Sequence, residues 1–112
     1  MANVGVMGAG SWGTALALLL HKNGHQVTVW SINQEEVDML SSKREHTSKL
    51  PGVKLPEEMI FTSNMEEAIV GKDFLVLAVP SPFTRSTARN MKPYVKEGQI
   101  IVDVAKGIEE AN

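Results

Sequence analysis

The chain has 112 residues, 43% hydrophobic and 21% charged, which suits one soluble domain with its own core and is too short for two. A net charge of −2 offers no basic surface to nucleic acid or an anionic membrane. No apolar run approaches the ~20 residues of a membrane span, and with no cysteine there is no disulfide or thiolate chemistry, so a cytoplasmic protein is the plain expectation.

The first stretch, Val4-Gly5-Val6-Met7, is apolar and reads as a buried strand over residues 3–7. No basic segment precedes it, so it reads as part of the fold and not as a signal peptide. Gly8-Ala9-Gly10-Ser11-Trp12-Gly13 follows, and then an apolar helix closed by Asn23-Gly24. Strand, glycine turn and helix in that order form a dinucleotide-binding fingerprint, for mechanical reasons. Gly8 allows a tight reversal, Gly10 lets backbone approach a pyrophosphate, and Gly13 lets helix and strand pack closely. The first helical amides have no internal partners and can hold phosphate oxygens, with Ser11 adding a hydroxyl as cap or donor. A tight structural turn is the alternative reading of the same glycines. The helix is expected to bury a stripe of Trp12, Ala15, Leu16, Leu19 and Leu20, with Ala17 and Leu18 making its other side apolar.

Gln26-Val27-Thr28-Val29-Trp30 reads as a second strand. Asn33 then caps a helix, with Glu36 completing a capping box and Val37 and Leu40 facing the sheet. Asn33 also stands where a ribose 2′-hydroxyl or 2′-phosphate is read in such folds, although an acidic residue there would favour NAD. A long polar loop over 41–56 leads to a short strand over 59–62. Residues 63–66 read as a capping box for a helix ending at Gly71. Phe74-Leu75-Val76-Leu77-Ala78-Val79 suits a central parallel strand covered on both faces. Ser81 as cap and Pro82 at the first helical position start a helix that ends near Pro93. A fifth strand over 100–104 is read as buried, and it leads into Ala105-Lys106-Gly107-Ile108-Glu109.

This alternation predicts an α/β fold, a doubly wound parallel sheet with helices on both faces and strand order 3-2-1-4-5. Ligands bind such sheets beyond the carboxyl ends of the strands. The segments 8–13, 79–83 and 105–109 share that edge. Lys106, a cation at a strand end, could hold a phosphorylated substrate or polarise a carbonyl. Phe83 is a modest candidate, and a core residue by default. His21, His25 and His46 show no metal-ligand spacing and read as surface residues, so no metal is expected.

With those segments in view, the sequence resembles the NAD(P)-dependent glycerol-3-phosphate dehydrogenases of bacterial type. The resemblance rests on Gly8-Ala9-Gly10-Ser11-Trp12-Gly13-Thr14-Ala15, Leu50-Pro51-Gly52-Val53-Lys54-Leu55-Pro56, Val79-Pro80-Ser81 and Lys106-Gly107-Ile108-Glu109. It covers essentially the whole chain and implies a Rossmann-type domain over residues 1–112. The implied activity reduces dihydroxyacetone phosphate to sn-glycerol 3-phosphate, a phospholipid precursor, with NAD or NADP as cofactor. It further implies that Ser11 and Trp12 contact the cofactor phosphates and their surroundings, that Phe83 lies near the nicotinamide, and that Lys106 reaches cofactor and substrate. A catalytic lysine and most of the substrate-phosphate site are expected in a second, largely helical domain that this chain lacks, and the complete enzyme is expected to be a homodimer. The sequence departs from the family pattern twice: Ile32 and Asn33 stand where NADP-preferring relatives often carry a basic residue, and Lys49 stands where many carry an aromatic one. A nucleotide-sensing module without chemistry, or a methyltransferase, would share the glycine turn.

Overall fold

The computed structural model describes residues 2–104. Five parallel strands form one sheet: β1 (Asn3–Met7), β2 (Gln26–Trp30), β3 (Ile60–Thr62), β4 (Phe74–Leu77) and β5 (Ile100–Asp103). Their order is β3-β2-β1-β4-β5, as the alternation predicts. The helices are α1 (Ser11–Lys22), α2 (Gln34–Lys43), α3 (Met65–Ile69) and α4 (Ser81–Met91).

Side chains alternate across a strand, so one apolar run feeds two cores. Val4, Val6, Val27, Val29 and Val76 turn to one face, where Ala17 of α1 and Val37 and Leu40 of α2 cover them. Met7, Trp30, Leu75 and Leu77 turn to the other, against Ala68 and Ile69 of α3 and Met91 of α4. Helices therefore leave the sheet on opposite sides, and a crevice opens between β1 and β4.

Four expectations need correction. The face of α1 turned to the sheet carries Gly13, Thr14 and Ala17, not the large residues. Trp12 and Leu19 are 47% and 56% exposed, while Leu16 and Leu20 pack only at the margin of the core. Small residues win because the helix runs so close to the sheet that larger ones have no room. Gly5 does the same for α3, since a Cβ there would lie 2.1 Å from the Ala68 carbonyl oxygen.

Second, the fifth strand is not buried. It pairs only with β4, and Ile100, Ile101 and Val102 are 41–53% exposed, because the sheet ends there. Third, the caps shift. Asn64, not Ser63, caps α3 by accepting from the Glu67 amide, while the Ser63 hydroxyl bonds Gln34. Pro80 precedes α4, so Ser81 is its first residue.

Fourth, His46 is buried, 1% exposed, and not a surface residue. It belongs to a loop over 44–59 that is pinned to the body. Arg44 takes a left-handed backbone (φ 52°) at the end of α2, and its guanidinium donates to the Pro56 and Met59 carbonyls at 3.1 and 2.5 Å. Leu55 and Met59 then enter the core.

Asn33 does cap α2, accepting from the Glu35 and Glu36 amides at 2.9 and 3.2 Å. The reciprocal half of the box is altered: the Asn33 amide donates to Ser31 Oγ (3.1 Å), which leaves Glu36 to engage other partners. Asn33→Ala should lower stability by about 1 kcal/mol, the usual worth of an N-cap. Urea unfolding of the two proteins would check this, and an unchanged midpoint would contradict it.

Candidate functional site

Three ladder hydrogen bonds continue past the strand ends and lock the loops to one edge. Gly8 N donates to Trp30 O (2.9 Å), Ala78 N to Met7 O (2.9 Å) and Ser31 N to Thr62 O (3.0 Å). Above them lies a cleft of about 310 Å³, mostly apolar, crossing the carboxyl ends of β2, β1 and β4. Its size and its place at the reversal of strand order are those of a nucleotide site in an open α/β sheet. A larger hollow of about 460 Å³ lies at the opposite edge, between His21, His25 and Lys72. It lies among the amino ends of the strands, away from the glycine turn.

The three motif glycines do different work. Gly8 has φ +125°, and a Cβ would meet the Ala78 carbonyl at 2.9 Å. A Cβ on Gly13 would lie 2.1 Å from the Gly8 carbonyl oxygen, so it seats α1 against the turn. Gly10 has an ordinary φ of −70° and nothing within 4 Å of where its Cβ would stand. Neither strain nor packing requires glycine there, and the empty space beside its backbone fits an approaching pyrophosphate.

The electrostatics agree. Gly10 caps α1 without a side-chain bond, and its carbonyl takes the Thr14 amide at 2.9 Å. The amides of Ser11, Trp12 and Gly13 have no carbonyl a turn back within the helix, and the helix dipole puts roughly half a positive charge there. The first turns of α1 and α4 carry no acidic residue, whereas α2 and α3 begin with Glu35-Glu36 and Glu66-Glu67. A bound diphosphate would therefore meet donors and no opposing carboxylate at the head of α1. The donor set fits NAD or NADP.

The expected site residues divide. Gly8, Gly10 and Phe83, 59% exposed, line the cleft. Gly13 shapes it from behind. Ser11 and Trp12 sit at the exposed head of α1, outside the cleft wall, and Asn33 lies outside it with Oδ1 engaged in capping. Lys106 falls outside the described residues.

Two groups of lining residues escape a reading of motifs. Ser86, Thr87 and Asn90 share one face of α4 with the expected Phe83, and their places three, four and seven residues beyond it are visible in the sequence once the helix is recognised. Ser31, Ile32, Glu36 and Lys49 form the wall beyond β2. Ile32 is 84% exposed, an apolar platform at the cleft mouth.

The family model described as the N-terminus of NAD-dependent glycerol-3-phosphate dehydrogenase matches residues 3–112. Glycerol-3-phosphate dehydrogenase [NAD(P)+] of Agathobacter rectalis is 64% identical over 110 residues, which are 98% of this chain and 33% of that protein. The enzyme of that name from Fusobacterium nucleatum is 50% identical over 110 residues, again 98% of this chain and 33% of the other. Among solved structures, glycerol-3-phosphate dehydrogenase from Coxiella burnetii superposes with a TM-score of 0.86 at 29% identity, over 91% of this chain and 31% of that one. The Saccharomyces cerevisiae enzyme superposes with a TM-score of 0.83 over 91% of this chain and 33% of that one, and at 20% identity this shows a shared fold. The chain thus spans about a third of the length of the relatives it matches. It belongs to the NAD-dependent glycerol-3-phosphate dehydrogenase family and corresponds to that family's N-terminal, Rossmann-type domain.

Proposed function

We propose that this chain is the cofactor-holding part of an enzyme that interconverts dihydroxyacetone phosphate and sn-glycerol 3-phosphate, supplying glycerophospholipid synthesis. The observation that carries the reading is the head of α1: free amides, no acid, and the open approach over Gly10. NAD(P)H, when bound, supplies the hydride that reduces the ketone carbon.

This chain's residues bind and orient. The amides of Ser11, Trp12 and Gly13 hold the pyrophosphate, and the Ser11 hydroxyl and Trp12 indole flank it from the exposed helix head. Val79 and Pro80 with Phe83 wall the cleft on the β4 side, where a nicotinamide ring reaching across the switch point would lie. Lys106, three residues beyond β5 in the sequence, serves as a cation for the substrate phosphate or for charge developing on the carbonyl oxygen. The proton for that oxygen and most of the phosphate site come from a second, helical domain. The relatives' threefold greater length supports such a domain. The complete enzyme is proposed to be a cytoplasmic homodimer; among the described residues no helix is long and apolar enough to cross a membrane.

The test uses the full-length protein as encoded. It should consume NADH or NADPH only when dihydroxyacetone phosphate is present, and Lys106→Ala should cut turnover by roughly a hundredfold or more, the scale of losing one charge-stabilising group. A protein that binds dinucleotide yet leaves dihydroxyacetone phosphate unreduced would contradict the reading and favour a sensing module. Unchanged turnover in Lys106→Ala would remove that residue's role.

A further inference from the structure

Glu36 is an acidic side chain in the wall of the cleft, and hydrogen bonds fix its position. Oε1 accepts from Ser31 Oγ at 2.6 Å, and Oε2 lies 2.9 Å from His46 Nε2. The protonation pattern follows from the neighbours. The Lys49 amide lies 3.3 Å from His46 Nδ1, and an amide can only donate, so Nδ1 carries no hydrogen. The ring proton therefore sits on Nε2 and points at Glu36. Both carboxylate oxygens are thus held by donors, one of them on a buried ring. The Glu36 side chain is 19% exposed and lines the cleft.

We infer that Glu36, clamped by Ser31 and His46, selects NAD(H) over NADP(H). This rests on the reading of the cleft as a dinucleotide site. In sheets of this kind a carboxylate about twenty residues past the glycine turn takes the ribose 2′-hydroxyl. Here the first turn of α2 carries that carboxylate into the wall beyond β2, while Asn33, nearer the strand, caps the helix. Each carboxylate oxygen retains a lone pair for a ribose hydroxyl, whereas a 2′-phosphate would bring two further negative charges against it. Ile32 offers no cation. Lys49 lines the same cleft, but it is exposed and makes no ion pair among the described residues, so water and salt screen it.

Titrations of the full-length protein with NADH and with NADPH test this. NADH should bind at least about tenfold more tightly, and Glu36→Gln should narrow the gap at least about threefold by strengthening NADPH. Both ligands are measured on each protein, so any unfolded fraction cancels from the ratio. The unmutated protein gives a second readout. Added salt should shrink the preference, because it screens a repulsion; a preference read by Lys49 through attraction to the phosphate would move the other way. Equal affinities, a ratio unmoved by Glu36→Gln, or the opposite salt response would overturn the inference and leave the dinucleotide site standing. Binding of neither ligand would overturn both.

Discussion

Gly10→Val should abolish dinucleotide binding while leaving the domain folded. The position has no neighbour within 4 Å and an extended backbone that valine readily adopts. The cost to stability should be under about 1 kcal/mol, mostly from a poorer residue at the N-cap. The isopropyl group, however, would occupy the space that lets the chain approach a pyrophosphate. It would also cover the α1 amides that hold the phosphates. Affinity should fall by at least roughly a hundredfold, as expected when phosphate oxygens lose two or more charge-assisted hydrogen bonds. Calorimetric titration beside a melting curve reads both quantities. A normal melting temperature with undiminished binding would show that the diphosphate lies elsewhere.

The opposite pattern is expected at Gly13 and Gly5. Each stands with its Cβ position 2.1 Å from a backbone carbonyl oxygen, that of Gly8 and that of Ala68 respectively. Backbone cannot rotate aside as a side chain can, so alanine must push α1 off the turn or α3 off the sheet. Overpacking of this kind costs about 3 kcal/mol or more, a large share of the roughly 5–15 kcal/mol that holds a domain together. Denaturant unfolding should place Gly13→Ala and Gly5→Ala far below the parent, with Gly10→Ala close to it. Near-equal stabilities for the three would refute the division of labour among these glycines.

Much of this fold could be read before any coordinates because its strands are apolar on both faces. Val4-Gly5-Val6-Met7 and Phe74-Leu75-Val76-Leu77 carry no polar residue that would let them face water, which requires a covered parallel sheet. The glycine turn then fixes which strand is central. What escaped depends on distances between elements that are remote in sequence. Helical periodicity marks Trp12, Leu16 and Leu19 as a buried stripe, yet how closely α1 rides on the sheet decides that Thr14 and Ala17 go inside. Gly5 is unremarkable in a strand until α3 is laid over it. Ile100-Ile101-Val102 looks like any inner strand, because periodicity says nothing of how many neighbours a strand has.

The site divides the same way. Its glycines announce themselves by spacing, and Phe83 by its place after a buried strand. Glu36 reads as half of a capping box, the local role that Asn33 and Glu36 spell out together. Its partner His46 comes from a loop ten residues on that looks solvated because it is polar. Only the anchoring of that loop, through Arg44 to the Pro56 and Met59 carbonyls and through buried Leu55, brings the imidazole beneath α2. A buried polar network built across a loop leaves no periodic trace in the sequence.

On this reading the carboxyl edge of the sheet, at the head of α1, holds a dinucleotide. A crystal structure of the protein with NADH tests it most directly. The pyrophosphate should lie over Gly10 within hydrogen-bond distance of the Ser11 and Trp12 amides, with the adenosine ribose toward Ser31 and Glu36 and the nicotinamide toward Phe83. Nucleotide in the hollow between His21, His25 and Lys72, with the head of α1 empty, would contradict it.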